Sequence, residues 1–212
     1  MELALPFAGM GFALGWPIEW LIQRFPQGVG TPPSVRRRWL VAALTAALFA
    51  ALTLKIGFHP RLAPALLLTA LIVPASVIDL NHRIIPNLIN YPGALLVFTV
   101  ASFAEPDRLG EFALGGFGCM LFLGLAWAVS RGGMGLGDVK MALMIGLGTG
   151  RYAFVALLAG FVASSALSAF LVVRGGRKAL KSTFPFGPFL AVGTVVALLW
   201  GPSISPYLLG GH

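Results

Sequence analysis

Leu62-Ala-Pro64-Ala-Leu66-Leu-Leu-Thr-Ala-Leu-Ile-Val-Pro74-Ala-Ser-Val-Ile78 carries no charge and stops at Asp79. A helix needs about 20 predominantly apolar residues to cross the hydrocarbon core of a bilayer, and this run is close to that length. A short polar stretch, Asp79-Leu-Asn-His-Arg-Ile-Ile-Pro86-Asn87, follows before apolar residues resume at Leu88. Apolar run, short polar loop, apolar run: the same alternation extends in both directions. Further runs lie at Leu3–Ile22, Trp39–Ile56, Leu88–Ala104, Leu114–Ser130, Val139–Gly150, Tyr152–Val173 and Phe184–Trp200. The fold expected is all-α, a polytopic transmembrane helix bundle of about eight spans, with the sixth run short enough to merge with the seventh. Loops this short make consecutive helices antiparallel neighbours, so residues 1–212 are read as a single membrane-embedded domain. Pro64 and Pro74 fall inside a helical run and are expected to kink it.

Composition agrees. Hydrophobic residues are 58% of the 212-residue chain, charged residues 10%, and the mean hydropathy is +0.88. Soluble domains carry about 25% charged residues. The net charge of +8 does not mark a nucleic-acid binder: the basic residues are scattered over several loops and form no continuous patch. The positive-inside rule accounts for them instead. Lys55, Arg61, Arg108 and Arg151 fall on one side, and the other eleven of fifteen basic residues on the opposite side, which is taken as cytosolic. Both termini then face outward. Arg36-Arg37-Arg38 is expected to rest on anionic lipid of the cytosolic leaflet. Glu105, Asp107 and Glu111 read as a solvated external turn. Cys119 is the single cysteine, which leaves no disulfide and no cysteine zinc site, so it reads as a small buried hydrophobe. The opening Met1-Glu2-Leu is not basic, and the first run is expected to be a retained span. Gly11/Gly15 and Gly146/Gly150 have the spacing that lets helix backbones approach.

The chain has seven acidic residues, and two of them sit at the cytosolic ends of apolar runs. Ionisable groups at the membrane boundary are costly and mark functional sites by default. Asp79 ends one span. Asp138 closes Gly133-Met-Gly135-Leu-Gly137-Asp138-Val-Lys140 and starts another helix, where a helix dipole favours an anion. Glycines before Asp138 remove side-chain bulk and let a backbone come close. Two carboxylates that share a site cannot both ionise easily, and a shared proton is what an aspartic protease uses to activate water. Each aspartate read alone has a plainer reading, Asp138 as an N-cap and Asp79 as a cap or a partner of Arg83. His82 reads as a solvated loop residue. Lys140 either holds the Asp138 charge or extends toward headgroups, and Glu19 either contacts substrate or a methyl donor or pairs with Arg24. The two prolines of Phe184–Leu190 forbid regular helix throughout, and a broken segment survives in a membrane only against protein or a cavity.

Gly15-Trp-Pro-Ile-Glu19 through Arg24-Phe-Pro26, Asp79…Ile85-Pro86-Asn87, Gly135-Leu-Gly137-Asp138-Val-Lys140 and Phe184-Pro185-Phe-Gly187-Pro188 occur in this order. Together they resemble the type IV prepilin peptidases, of the Gly-x-Gly-Asp aspartyl protease class. The resemblance implies Asp79 and Asp138 as the catalytic pair. It implies Gly135, Gly137, Lys140, Pro86, Asn87, Glu19, Pro185, Gly187 and Pro188 as the surroundings of the substrate. It further implies cleavage of the basic leader of prepilins or pseudopilins at the cytosolic face of a bacterial inner membrane. Proteolysis would need no metal or cofactor, while many members also methylate the new N-terminus from S-adenosylmethionine. The chain departs from the family pattern in its short Gln27–Arg38 loop, which lacks paired Cys-x-x-Cys motifs, and in Glu19, where members usually carry asparagine. The residues alone also suit a small proton-coupled transporter, although no internal repeat supports that, or a catalytically silent assembly platform.

Overall fold

A computed structural model describes residues 4–24, 34–130, 134–175 and 185–209. Within them the chain forms eight α-helices and, among the described residues, no strand. These are α1 (Ala4–Arg24), α2 (Val35–Ile56), α3 (Leu62–His82), α4 (Asn87–Ala104), α5 (Leu109–Val129), α6 (Leu136–Thr149), α7 (Ala153–Gly175) and α8 (Gly187–Leu209), with single 3-10 turns at Pro106–Arg108 and Gly150–Tyr152. Each expected apolar run corresponds to one helix, and most helices extend a few residues further into the polar flanks.

Seven helical stretches are long and apolar enough to cross a membrane, with α6, its turn and α7 forming one stretch, Leu136–Arg174. At 14 residues, α6 is only about 21 Å long, short of a full crossing. It nevertheless doubles back into α7. Gly150 takes a left-handed φ of 56°, and Gly201 of α8 meets Tyr152 while Gly193, further toward the start of α8, meets Ala156. The chain is thus a multi-pass membrane protein. Large apolar side chains that face outward, such as Phe103, Leu114 and Val173, are suited to lipid.

The helices assemble mainly as sequential hairpins, α1 on α2, α5 on α6 and α7 on α8. Glycine sets their closeness. A Cβ on Gly15 would collide with Ala42, one on Gly146 with the Gly115 carbonyl, and one on Gly193 with the Ala156 carbonyl. The small-residue spacing expected at Gly11, Gly15 and Gly146 is therefore used for backbone contact, whereas Gly150 makes the turn. Helix α3 lies at the centre: 72% of its most apolar window is buried, against 22% for α5, and it touches α1, α2, α4, α6 and α8. Ile72, Val73, Ala75 and Ile78 of α3 join Met141, Met144 and Ile145 of α6 in the main core. Cys119 is buried in α5, as expected of a small hydrophobe. Helix α3 continues through Pro74, and Pro64 falls in its first turns, where a missing N–H costs little. The segment 184–190 is helical from Gly187 onward, because Pro188 occupies the first turn, where proline is accommodated. Phe184 lies outside the described residues.

Candidate active site

Asp79 lies in the last turn of α3, and Asp138 in the first turn of α6. Both are buried, at 5% and 8% exposure. Gly148, at the far end of α6, lies against Leu68 of α3, and Gly137, beside Asp138, lies against Ile85 just after α3, so the end of α3 that carries Asp79 is beside the end of α6 that carries Asp138. Residues 59 positions apart in sequence therefore meet at one end of the bundle.

Local structure explains how. Arg83 takes the left-handed C-cap of α3, with φ 55°, and its backbone N–H donates to the Asp79 carbonyl at 2.7 Å. Ending α3 there lets the chain turn through Ile84 and Ile85, and Pro86, with φ −64° and ψ 131°, starts α4. Ile85 then covers Gly137: a Cβ on Gly137 would sit 3.1 Å from that of Ile85. Asn90, one turn into α4 and only 1% exposed, donates from Nδ2 to the Gly137 carbonyl at 3.4 Å. Lys140 Nζ donates to Asn87 Oδ1 at 2.9 Å and lies 5.1 Å from the centre of the Tyr91 ring. Its charge is directed to α4 rather than to Asp138, so it secures the α4–α6 junction.

Asp79 is held from the opposite side. The Gly187 N–H, the first of α8, donates to Asp79 Oδ2 at 2.9 Å, and a Cβ there would lie 2.7 Å from the same oxygen. Gly187, which the resemblance places around the substrate, lies directly against the Asp79 carboxylate, and any side chain there would make that carboxylate shift. Pro185 precedes the helix, half-buried, and Pro188 lines a groove of 340 Å³ between α2, α3 and α8 with Ser76, Leu80 and Val192. Gly135 and Gly137 have different surroundings. Gly137 is covered by Ile85, while a Cβ on Gly135 would meet, among the described residues, only Asp138 Oδ2, at 3.4 Å, and the Gly137 nitrogen. Among the described residues, Gly135 thus leaves space beside the carboxylate. Gly132 and Gly133 lie outside the described residues.

Glu19 belongs to another junction. It is 1% exposed, and its carboxylate takes hydrogen bonds from Arg37 Nε and Nη2, the shortest 2.6 Å, and from Gln23 Nε2 at 3.2 Å. The partner is Arg37 on α2, not Arg24, which lies over the Trp20 ring at 5.1 Å. A carboxylate already engaged by Arg37 and Gln23 has little acceptor capacity left. It does not fit a methyl donor in this arrangement, and no methyl-transfer step is derived through it. Arg37 is accordingly drawn from the lipid-facing role expected of it, and Arg38 lies over Trp16 at 5.2 Å. Pro26 and the loop 25–33 lie outside the described residues. On the opposite face, Glu105 and Glu111 do not form a merely solvated turn: they pair with Arg108 and Arg151.

Asn90 was not singled out from sequence. The available signal was a second asparagine three residues after Asn87, at the start of an apolar run. Its Oδ1 is buried with no hydrogen-bond partner among the described residues.

Comparison with known proteins identifies the family. The type IV leader peptidase family matches residues 65–173, a stretch that contains both aspartates. The chain belongs to that family. Among its relatives is a prepilin leader peptidase/N-methyltransferase of Bacillus subtilis, 31% identical over 78% of this chain and 67% of that protein. Proteins of the same description from Aeromonas hydrophila and Pseudomonas aeruginosa are 32% and 29% identical, over 86% and 80% of this chain and 64% and 60% of theirs. The chain thus spans about two thirds or less of the length of these relatives. No solved structure matches it. These findings give the transporter alternative no support, and they place this family member among multi-pass inner-membrane proteins.

Proposed function

We propose that this chain is an intramembrane aspartyl endopeptidase that removes the basic leader of prepilin-like or pseudopilin substrates at the cytosolic face of the inner membrane. The observation that carries the reading is the placement of two buried aspartates, Asp79 and Asp138, at the same end of the packed α3–α6 pair. One carboxylate takes a proton from water, and the other, protonated, donates to the scissile carbonyl. Water oxygen bonds to the carbonyl carbon, and the tetrahedral intermediate collapses as the C–N bond breaks. The leaving amine takes up the proton held by the first carboxylate, and the second recovers its proton from a hydroxyl of the gem-diol as the carboxyl product forms, which restores the pair. The Gly187 N–H fixes one Asp79 oxygen, so the remaining oxygen is available to water without the carboxylate having to reorient. The space beside Gly135 admits a substrate backbone.

The apolar stem that follows a leader is assigned to the groove between α2, α3 and α8, which begins within a turn of Asp79 at Ser76 and Leu80. The orientation, with both termini outside, rests on the eleven-to-four division of basic residues. Transfer of a methyl group from S-adenosylmethionine is not assigned to any residue of this site.

Co-expression with a prepilin, followed by mass spectrometry of the substrate N-terminus, tests the assignment and reads methylation at the same time. Wild type is expected to yield a shortened substrate, whereas Asp79→Asn and Asp138→Asn leave it full-length. Complete processing by either variant ends the proposal.

A further inference from the structure

The face opposite the aspartates has four basic residues, Lys55, Arg61, Arg108 and Arg151, and three of them meet at one cavity. Lys55 lies at the end of α2, Arg61 just before α3, and Arg108 in the turn between α4 and α5; all three line a space of 240 Å³. Its one acidic residue, Glu105, is engaged by Arg108 at 2.7 Å, and nearby Glu111 is shared between Arg108 and Arg151. The acids are thus spent on Arg108 and Arg151, and the charges of Lys55 and Arg61 have no acid opposite them in the lining. Arg61 Nε is buried with no hydrogen-bond partner among the described residues. A buried guanidinium N–H without an acceptor is costly, and native structures leave few such groups. The rest of the wall is mostly apolar, with Ile56, Phe112 and Leu198 among its residues. Cations, an unfilled donor and apolar walls at a membrane boundary suit an amphiphilic anion.

We infer that this cavity binds a phosphate group, and that in the membrane it is the phosphate of an anionic phospholipid in the leaflet opposite the aspartates. Diffuse attraction to a charged leaflet is a property of many spread cations. Here the few cations of a cation-poor face converge on a space sized for one headgroup, whereas an acidic protein segment would require an extended groove. Arg61 would supply the unfilled N–H, Lys55 a second positive donor, and the apolar wall would take the glycerol and first acyl carbons.

The test uses the full chain in detergent. Native mass spectrometry compares retention of phosphatidylglycerol with that of phosphatidylcholine, and thermal unfolding is followed with each lipid, with inorganic phosphate and with a polyglutamate peptide. Wild type is expected to retain phosphatidylglycerol preferentially. Lys55→Gln and Arg61→Gln should each reduce that preference about fivefold, and Arg61→Lys should reduce it less. Stabilisation by inorganic phosphate alone, lost in Lys55→Gln, would keep the phosphate site and assign it to soluble phosphate. Equal retention of the two lipids by wild type overturns the proposal without requiring any variant to fold. So does a preference that survives both glutamine substitutions, or stabilisation by polyglutamate but by neither phosphate source.

Discussion

The two ends of this bundle differ in whether every buried or half-buried carboxylate is matched by arginine. At the end with the arginine network, Glu105 and Glu111 are partly exposed and are matched by Arg108 and Arg151 at 2.7 to 2.9 Å. At the other end Glu19 is likewise matched by Arg37, but Asp79 and Asp138 are buried and belong to no ion pair among the described residues. Asp79 is held by a backbone N–H, and Asp138 lies among glycines. Pairing with guanidinium fixes a carboxylate as an anion and suits a structural role. A backbone dipole positions a carboxylate while leaving it able to exchange a proton, which is what acid–base chemistry requires. Glycine divides the same way: at the arginine end it lets backbones touch, and at the aspartate end it leaves room beside a carboxylate.

The largest expected effect breaks the aspartate end outright. Asp79→Asn or Asp138→Asn should lower the rate of prepilin cleavage by about a hundredfold or more. The yield of folded protein in the membrane should stay near wild type, since an amide of nearly the same shape replaces a buried carboxyl group. Cleavage time courses normalised to extracted enzyme measure both. A residual rate within threefold of wild type would place the chemistry elsewhere.

Two glycine substitutions separate packing from positioning. Gly146→Ala puts a methyl into the Gly115 backbone, where neither partner has a side chain that can move aside. Overpacking of this kind costs about 1 to 3 kcal/mol. The thermal midpoint should fall while the rate per folded molecule holds. Gly187→Ala places its Cβ 2.7 Å from Asp79 Oδ2, and the carboxylate must shift. The expected result is roughly a tenfold loss of kcat with a much smaller change in midpoint. If both variants lost activity only in proportion to folded protein, the distinction between the two uses of glycine would fail.

Much of this was legible in the chain, and what was not has a physical reason. Apolar runs as long as Leu62–Ile78 fix helices because a bilayer demands that length, and charges as scarce as Asp79 and Asp138 stand out against them. The α3–α4 turn was legible too, since Pro86 and Asn87 mark a restart. Which side of each helix faces inward was not. Helices that are apolar all round carry no amphipathic stripe, so α3, the most buried, looks in sequence much like α5, which is largely exposed. For that reason Glu19 was matched to Arg24 on its own helix, while the α1–α2 hairpin brings in Arg37. Donation from Gly187 to Asp79 spans 108 residues, and no local pattern encodes it. Asn90 was overlooked because a lone amide near a helix start resembles a cap.

The smallest effect is predicted at the arginine end, and it sharpens the comparison by what it does not change. Glu111→Gln removes the acid shared by Arg108 and Arg151, of which Arg151 is half exposed and Glu111 one third exposed. Exposed pairs contribute about 0 to 1 kcal/mol because water and salt screen them. The thermal midpoint should drop slightly in low salt, and the difference from wild type should shrink as salt is raised. Prepilin cleavage per folded molecule should not move, since α6 and α7 turn at Gly150 through backbone geometry rather than through that pair. Should cleavage fall severalfold instead, the arginine network would be coupled to Asp138 along α6, and the two ends could no longer be treated as separate solutions to the same problem of placing acid in a membrane.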